Sequence, residues 1–286
     1  MAYENFIPTV WSEAIQRELE GSYVFAEDCN RQYEGDVKKK GDSVRILGVG
    51  RPTVKEIERH DASNNIDDPE EIEDESVTMY VNKINYFNYM VGDIDKAQAV
   101  GGLMDALSRE TSEALADTVD SYIAGLATQA SSVFAAPQKV VAGTAAAATE
   151  MNVLDALDEA IQRLYENDVK NSTEIIVTVS PRFYTLFKRA YIGKDTDNSA
   201  MLKNGKVAQY GNVTVKMSNN VCKTGEGAVD NMMIRTKRAV AFAQPLTRVE
   251  PYRPEKRFAD AVKGFILYDA KIVRPKEIFN VNVKYA

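Results

Sequence analysis

Residues Asp93–Phe134 read DIDKAQAVGGLMDALSRETSEALADTVDSYIAGLATQASSVF. Val100, Leu103, Leu107, Leu115, Val119, Tyr122, Leu126 and Val133 recur at three- and four-residue steps, and Asp105, Arg109, Glu113, Asp117 and Asp120 fall on other faces. This is the period of an amphipathic helix. No proline interrupts the chain between Pro69 and Pro137, and a fully helical stretch would reach roughly 50 to 60 Å. A stripe of that length has to be covered by something laid along it, from the same chain or from a neighbour. The alternative is an ordinary core helix that breaks at Gly101-Gly102 or at Gly125.

The chain has 286 residues and a formal net charge of −7. It is long enough for one large domain or two ordinary ones with a sizeable core. An acidic balance gives no basic footprint for gripping nucleic acid through phosphates. Cys29 and Cys222 are the only cysteines and stand far apart, which points away from a disulfide framework or a structural metal and fits a reducing compartment. Met1–Pro8 lacks the charged and apolar blocks of a signal peptide, and no run of some 18 apolar residues occurs. No membrane span is expected.

On the N-terminal side, Ser12 is placed to cap a helix carrying Ala14, Ile15, Glu18 and Leu19, with the single tryptophan, Trp11, just before it. Lys38–Gly41 reads as a turn, and Val44 and Ile46 alternate as in a half-buried strand. Thr53–Glu58 and Val77–Val81 alternate again on either side of an acidic loop holding Asp67, Asp68, Glu70, Glu71, Glu73, Asp74 and Glu75. Two such arms predict a long hairpin, which needs something to lie on because an isolated hairpin is marginal in water. The acidic loop lacks the ligand spacing and turn glycine of a calcium site and reads as a solvated tip that discourages edge-to-edge pairing. Gly21, Gly35, Gly41, Gly48 and Gly50 are candidate hinges near the bases of these projections.

On the C-terminal side, Asn152–Asn167 predicts a helix, Glu174–Val179 a buried strand, and Ser180-Pro181 the start of a helix through Ala190. This succession indicates an α/β unit around a small sheet. Asn212–Met217 and Met232–Ala243 each predict a strand, with Cys222–Asp230 as the turn between them. The charged Tyr252–Phe258 is broken by Pro251 and Pro254, and Val262–Tyr285 alternates about Pro275 as strands returning to the central helix.

Catalysis finds little to work with. His60 is the lone histidine, in the charged Glu58–Asp61 stretch, and reads as a solvated loop residue. The serines lack a nucleophile elbow and the cysteines a base at recognisable spacing. No catalytic, cofactor-binding or metal-ligating residue is assigned, which leaves an enzyme reading with no residues to name.

The order of these elements resembles the major capsid proteins of tailed bacteriophages, over nearly the whole chain. Asn5-Phe-Ile-Pro with Trp11 looks like the N-terminal arm of that family. Tyr33-Glu-Gly-Asp and Gly41-Asp-Ser-Val-Arg-Ile look like the entry to its extended loop, and Asp93-Ile-Asp-Lys-Ala-Gln-Ala is similar to the lead-in to its spine helix. Val215-Lys-Met-Ser-Asn-Asn-Val and Phe258–Pro275 resemble its late strands.

The resemblance implies an α+β chain with the tailed-phage major capsid (Hong Kong 97-like) fold. Its parts would be an N-terminal arm (1–34), an extended β-hairpin loop (35–80), a peripheral domain with the spine helix (81–136, completed by 258–286) and an α/β axial domain (137–257). It implies self-assembly as hexamers and pentamers into an icosahedral head that encloses double-stranded DNA without sequence-specific binding. The arm motif follows no long leader here, so a separate scaffolding protein is expected rather than a fused one, together with a portal and decoration or head-completion proteins. The location implied is the virion, with assembly in the host cytoplasm. Inter-subunit contact is expected at Phe6, Trp11, Arg51, Glu56, Glu58, Asp67, Asp68, Glu70 and Glu71. Two rival readings are an encapsulin-like nanocompartment shell and a soluble α+β metal-binding protein or enzyme.

Overall fold

A computed structural model of the chain describes residues 15, 18–19, 21–33, 43–49, 54, 56, 68, 74–92, 103–145, 147–170, 173–192, 209–256 and 258–286. The opening stretch is an α-helix, α1, over Leu103–Gly125. Its 23 residues span about 35 Å. Leu115, Ala116, Val119, Ile123 and Ala124 are buried along one side. The helix does not reach Phe134 as the apolar period suggested. After Gly125 the chain tightens into a 3-10 turn at Leu126–Gln129 and becomes extended at Ala130. Ser131-Ser132 then pairs in parallel with the final strand, and Val133 N–H donates to Asn280 O at 2.9 Å. Glycine weakens the helix at that point, and a strand offers the next backbone groups better partners. The break at Gly125 is therefore the correct alternative, and residues 93–102 lie outside the described ones.

Asp120 departs from its expected polar face: it is 1% exposed. Its role belongs to the site described below.

Strands β1 (Ser43–Val49) and β2 (Asp74–Tyr80) form an antiparallel ribbon, from Ser43 opposite Tyr80 to Val49 opposite Asp74. Ser43–Ile46 thus pairs with Val77–Tyr80 of the expected second arm, and Val44, Ile46 and Met79 are buried; of the expected arm Thr53–Glu58 only Val54 and Glu56 are described, both exposed and outside any strand, and its other residues lie outside the described ones. Gly48 sits inside this ladder opposite Glu75, so it is no free hinge. Strand β3 (Lys83–Gly92) follows at once.

The remaining strands are β4 (Ser131–Ser132), β5 (Gln138–Val141), β6 (Glu150–Asn152), β7 (Ile175–Val179), β8 (Gln209–Tyr210), β9 (Val213–Met217), β10 (Cys222–Thr224), β11 (Val229–Thr236), β12 (Val240–Tyr252), β13 (Ala259–Ile272) and β14 (Ile278–Tyr285). The larger sheet runs β6-β5-β14-β11-β7-β9-β8, with β10 on β11 and β4 on β14; the smaller is β12-β13-β3. Every residue of β7 is buried, as the continuous Ile-Ile-Val-Thr-Val run requires of a central strand. Helices α2 (Val153–Glu166) and α3 (Pro181–Ile192) flank it in sequence. Asn152 Oδ1 caps α2 by accepting from Leu154 N–H at 2.9 Å, and Ser180 Oγ accepts from Phe183 N–H at 3.3 Å at the start of α3. Both caps satisfy amides that have no partner inside the helix.

The expected single strand Met232–Ala243 is two strands in two sheets. The exposed Lys237-Arg238 turn ends β11, and β12 starts in the smaller sheet. The expected break at Pro251 is also absent, because β12 is an edge strand and an edge tolerates the missing N–H of proline. The chain crosses back between sheets at the Pro275–Glu277 turn. The two crossings are tied together: Ala239 O accepts from Val273 N–H at 2.9 Å, and Glu277 takes Arg274 at 2.9 Å and Arg238 at 3.4 Å.

In the smaller sheet Gly264 faces Phe87 across the β13–β3 pair. A Cβ at Gly264 would stand 2.5 Å from Phe87 Cζ and 2.9 Å from Arg248 O, so the ring occupies the space that only glycine leaves open.

Leu115→Ala should cost about 2–5 kcal/mol through the cavity it leaves, measured by urea unfolding of the dispersed subunit. An unchanged midpoint would place Leu115 outside the core.

Candidate assembly surfaces

The segment just after the N-terminal helix is fastened from several sides. The Asp120 carboxylate accepts from the backbone N–H of Val24 at 2.7 Å and of Phe25 and Ala26 at 3.1 Å each. Burial pushes its carboxyl above the ordinary range, against the pull of those three amides. Arg235 on β11, fully buried, donates to Phe25 O at 2.7 Å and to Cys29 Sγ at 3.0 Å. Burial likewise raises the Cys29 thiol, with Arg235 opposing, so the sulfur acts as a neutral acceptor. Lys216 on β9 pairs with Asp28 and Glu27 at 2.8 Å each. Asn30 exchanges backbone bonds with Val240 O at 2.8 Å and Phe242 N–H at 3.0 Å on β12. Residues 24–30 therefore join α1 and both sheets.

The ribbon has a base of its own. Val44, Ile46, Met79 and Val81 bury against Ala241 and Ala243 of β12 and Leu267 of β13, and Lys271 Nζ donates to Thr78 O at 2.7 Å. The expectation that the hairpin lies on something holds, and the support is the smaller sheet.

That sheet also has an open side. β3 is its edge, and among the described residues no strand pairs with its outer side. Ile84, Tyr86 and Met90 are exposed on one face of β3, while Phe87 and Tyr89 stack at 5.8 Å between centroids on the other. Nearby, Glu250 pairs with Arg248 at 2.9 Å and Lys263 at 3.6 Å, Lys263 lies over the Tyr252 ring, and Tyr252 OH donates to Asn88 Oδ1 at 3.0 Å. These exposed pairs contribute little stability, but they form a rim of mixed charge and aromatic surface. Phe258 is 88% exposed. An edge strand beside exposed aromatics is a template for another chain.

The polar clusters elsewhere hold the fold. Tyr122 OH donates to Asp269 Oδ1 at 2.8 Å, and Tyr285 bonds Asp230 and Ser180 near the C-terminal end. Burial together with the neighbouring carboxylate raises both phenols. Among the described residues no three His, Cys, Asp or Glu side chains converge as a metal site, and no described helix is long and apolar enough to cross a membrane.

Of the residues expected at subunit contacts, Glu56 and Asp68 are exposed; Phe6, Trp11, Arg51, Glu58, Asp67, Glu70 and Glu71 lie outside the described residues, as does His60. The exposed face of β3 was missed. Its sequence Lys83-Ile-Asn-Tyr-Phe-Asn-Tyr-Met alternates, but with aromatics on both faces, so period two alone does not say which face is open.

The sequence matches no protein-family model and no curated protein. Solved structures do match. A structure from Mycobacterium phage Che8 superposes with a TM-score of 0.69 at 25% identity, covering 90% of this chain and 90% of that one. The capsid structure of the Cyanophage P-SCSP1u gives 0.66 at 16% identity over 92% and 88%. The mature capsid of bacteriophage PhiM1 gives 0.66 at 17% identity over 92% and 87%. The chain has the tailed-phage capsid fold. Within that fold, the open edge of β3 and the two-stranded ribbon are where the described chain leaves strand edges unpaired.

Replacing both Val44 and Ile46 by aspartate should undock the ribbon, since a charge buried without a partner is strongly unfavourable. Limited proteolysis should then cut within 43–80, with a smaller loss of global stability than Leu115→Ala causes. Global unfolding with no preferential cleavage would show that the ribbon is part of the main core.

Proposed function

We infer that this chain is a major capsid protein, a structural subunit that assembles into the closed shell of a tailed-phage head. The observation that carries the reading is similarity to phage capsid structures over 90–92% of the chain, joined to a ribbon and an edge strand with unpaired edges. A closed shell sums many contacts, each weak alone, around a symmetric surface, so dissociation of one subunit has to break several at once. The exposed edge of β3 and the mixed rim at Arg248, Glu250 and Lys263 supply surface for such contacts. The acidic tip around Asp67, Asp68, Glu70 and Glu71 then seeks basic side chains on a neighbouring copy, with Arg51, Glu56 and Glu58 along the same projection and Phe6 and Trp11 on the arm.

In this reading residues 1–34 are the arm, 35–80 the extended loop, 81–136 with 258–286 the peripheral domain and 137–257 the axial domain that gathers at hexamer and pentamer axes. A separate scaffolding protein guides assembly in the host cytoplasm, and a portal and decoration or head-completion proteins finish the virion. A net charge of −7 suits a wall that contains DNA without adhering to it. The chain works by contact and not by catalysis.

Purified full-length protein mixed with the scaffolding protein of its own virus should give closed shells in negative-stain microscopy. Elution as a single 31.8 kDa subunit at high concentration under the same conditions would contradict the reading. Cages isolated from cells with protein cargo and no genome would assign the nanocompartment role instead.

A further inference from the structure

Strand β3 reads Lys-Ile-Asn-Tyr-Phe-Asn-Tyr-Met-Val-Gly from Lys83 to Gly92. Lys83, at its first position, is its one charged residue, and the strand holds no proline. Proteins ordinarily blunt a free edge with charge, proline or a bulge. Here β3 pairs with β13 without a register shift from Lys83 to Gly92, and among the described residues no strand pairs with its other side. Such an edge takes a further strand through its backbone groups. The side chains then decide which strand fits.

The strand fits a copy of itself. When two copies run antiparallel about a two-fold axis perpendicular to the sheet, facing residues lie on the same face, so their positions are both odd or both even. Two registers of this kind match nearly the whole strand, one centred on Phe87 and one on Asn88. The first sets Ile84 against Met90 and Tyr86 against Asn88, and draws Lys83 into the ladder. The second sets Tyr86 against Met90 on both sides of the axis, Phe87 against Tyr89 likewise and Asn88 against its own copy, and leaves Lys83 beyond the last pair. The second is the better match. Methionine sulfur packs favourably on an aromatic ring, facing aromatics are good cross-strand pairs, and two carboxamides offer each other a donor and an acceptor. Tyr86 is 80% and Met90 48% exposed in the single chain, so both gain cover.

We propose that β3 is the edge by which the subunit recognises its own kind: two copies join antiparallel about a two-fold axis at Asn88, and their smaller sheets become one continuous sheet. This deepens the shell reading and rests on it, since it names the partner of the open edge. A two-fold contact is isologous, each copy giving the same patch, and a closed symmetric shell supplies such axes.

Cysteine cross-linking tests the register. The proposed pairing brings the two Asn88 Cα atoms about 4.5–5.5 Å apart, a separation that a disulfide spans. Asn88→Cys is made in the full chain together with Cys222→Ser, because Cys222 is only half-buried whereas Cys29 is buried. Shells assembled with the scaffolding protein are oxidised with copper phenanthroline and run on a gel without reductant. The expected result is a cross-linked dimer at several-fold higher yield than from Lys83→Cys, which lies beyond the last pair. Tyr86→Cys combined with Met90→Cys should also give dimer, and neither of those changes alone should. Where Asn88→Cys itself fails to assemble, the double variant carries the same decision. Shells in which Asn88→Cys yields no more dimer than Lys83→Cys, and the double variant none, overturn the proposal and leave the shell reading standing. Strongest coupling from Phe87→Cys overturns it too, because the register is then the other one. If the unaltered chain forms no shells, both readings fall, and microscopy alone identifies that case.

Discussion

The structure depends on how residues 24–30 are held. A buried carboxylate on α1 takes three successive backbone amides, a buried guanidinium on β11 takes a carbonyl and a thiol, and β9 and β12 take the rest. Each group would be costly to leave unpaired away from water, so the segment, the helix and the two sheets are fixed together.

Against that body, the unfinished surfaces have a common character. The ribbon buries one face and sends its far end away from the cluster at Leu267. β3 keeps one edge unpaired among the described strands and shows Ile84 and Tyr86 to solvent. An isolated protein commonly blunts such features with charge, proline or a covering loop. Here they persist beside a well-packed core, which is reasonable for a subunit completed by its own copies.

Much of the fold was legible where local chemistry and burial agree. The helical period over Asn152–Asn167, the Ser180-Pro181 start and the continuous apolar run at Ile175–Val179 were each read as the structure has them. The failures share a cause in partners distant in sequence. Nothing near Val133 says that Asn280 will take its amide, so the helix was extended too far. Asp120 looks like a solvated helix residue until the amides of Val24–Ala26 arrive from 94 to 96 positions away. Met232–Ala243 reads as one strand because the short Lys237-Arg238 turn gives no signal that the sheets part there. The strand Ser43–Val49 was legible from the alternation of Val44 and Ile46, while the exposed face of β3 was hidden by aromatics on both sides of the strand.

The central claim is that this subunit has a finished core and edges finished by other copies. Amide hydrogen exchange on the full chain, as dispersed subunits and then as assembled particles, tests it most directly. The account predicts that β7, β11 and β14 are slow in both states, and that β2 and the outer amides of β3 slow markedly only on assembly. Equal protection of β2 and β3 in the two states would mean that the single chain already completes itself, and would contradict the account.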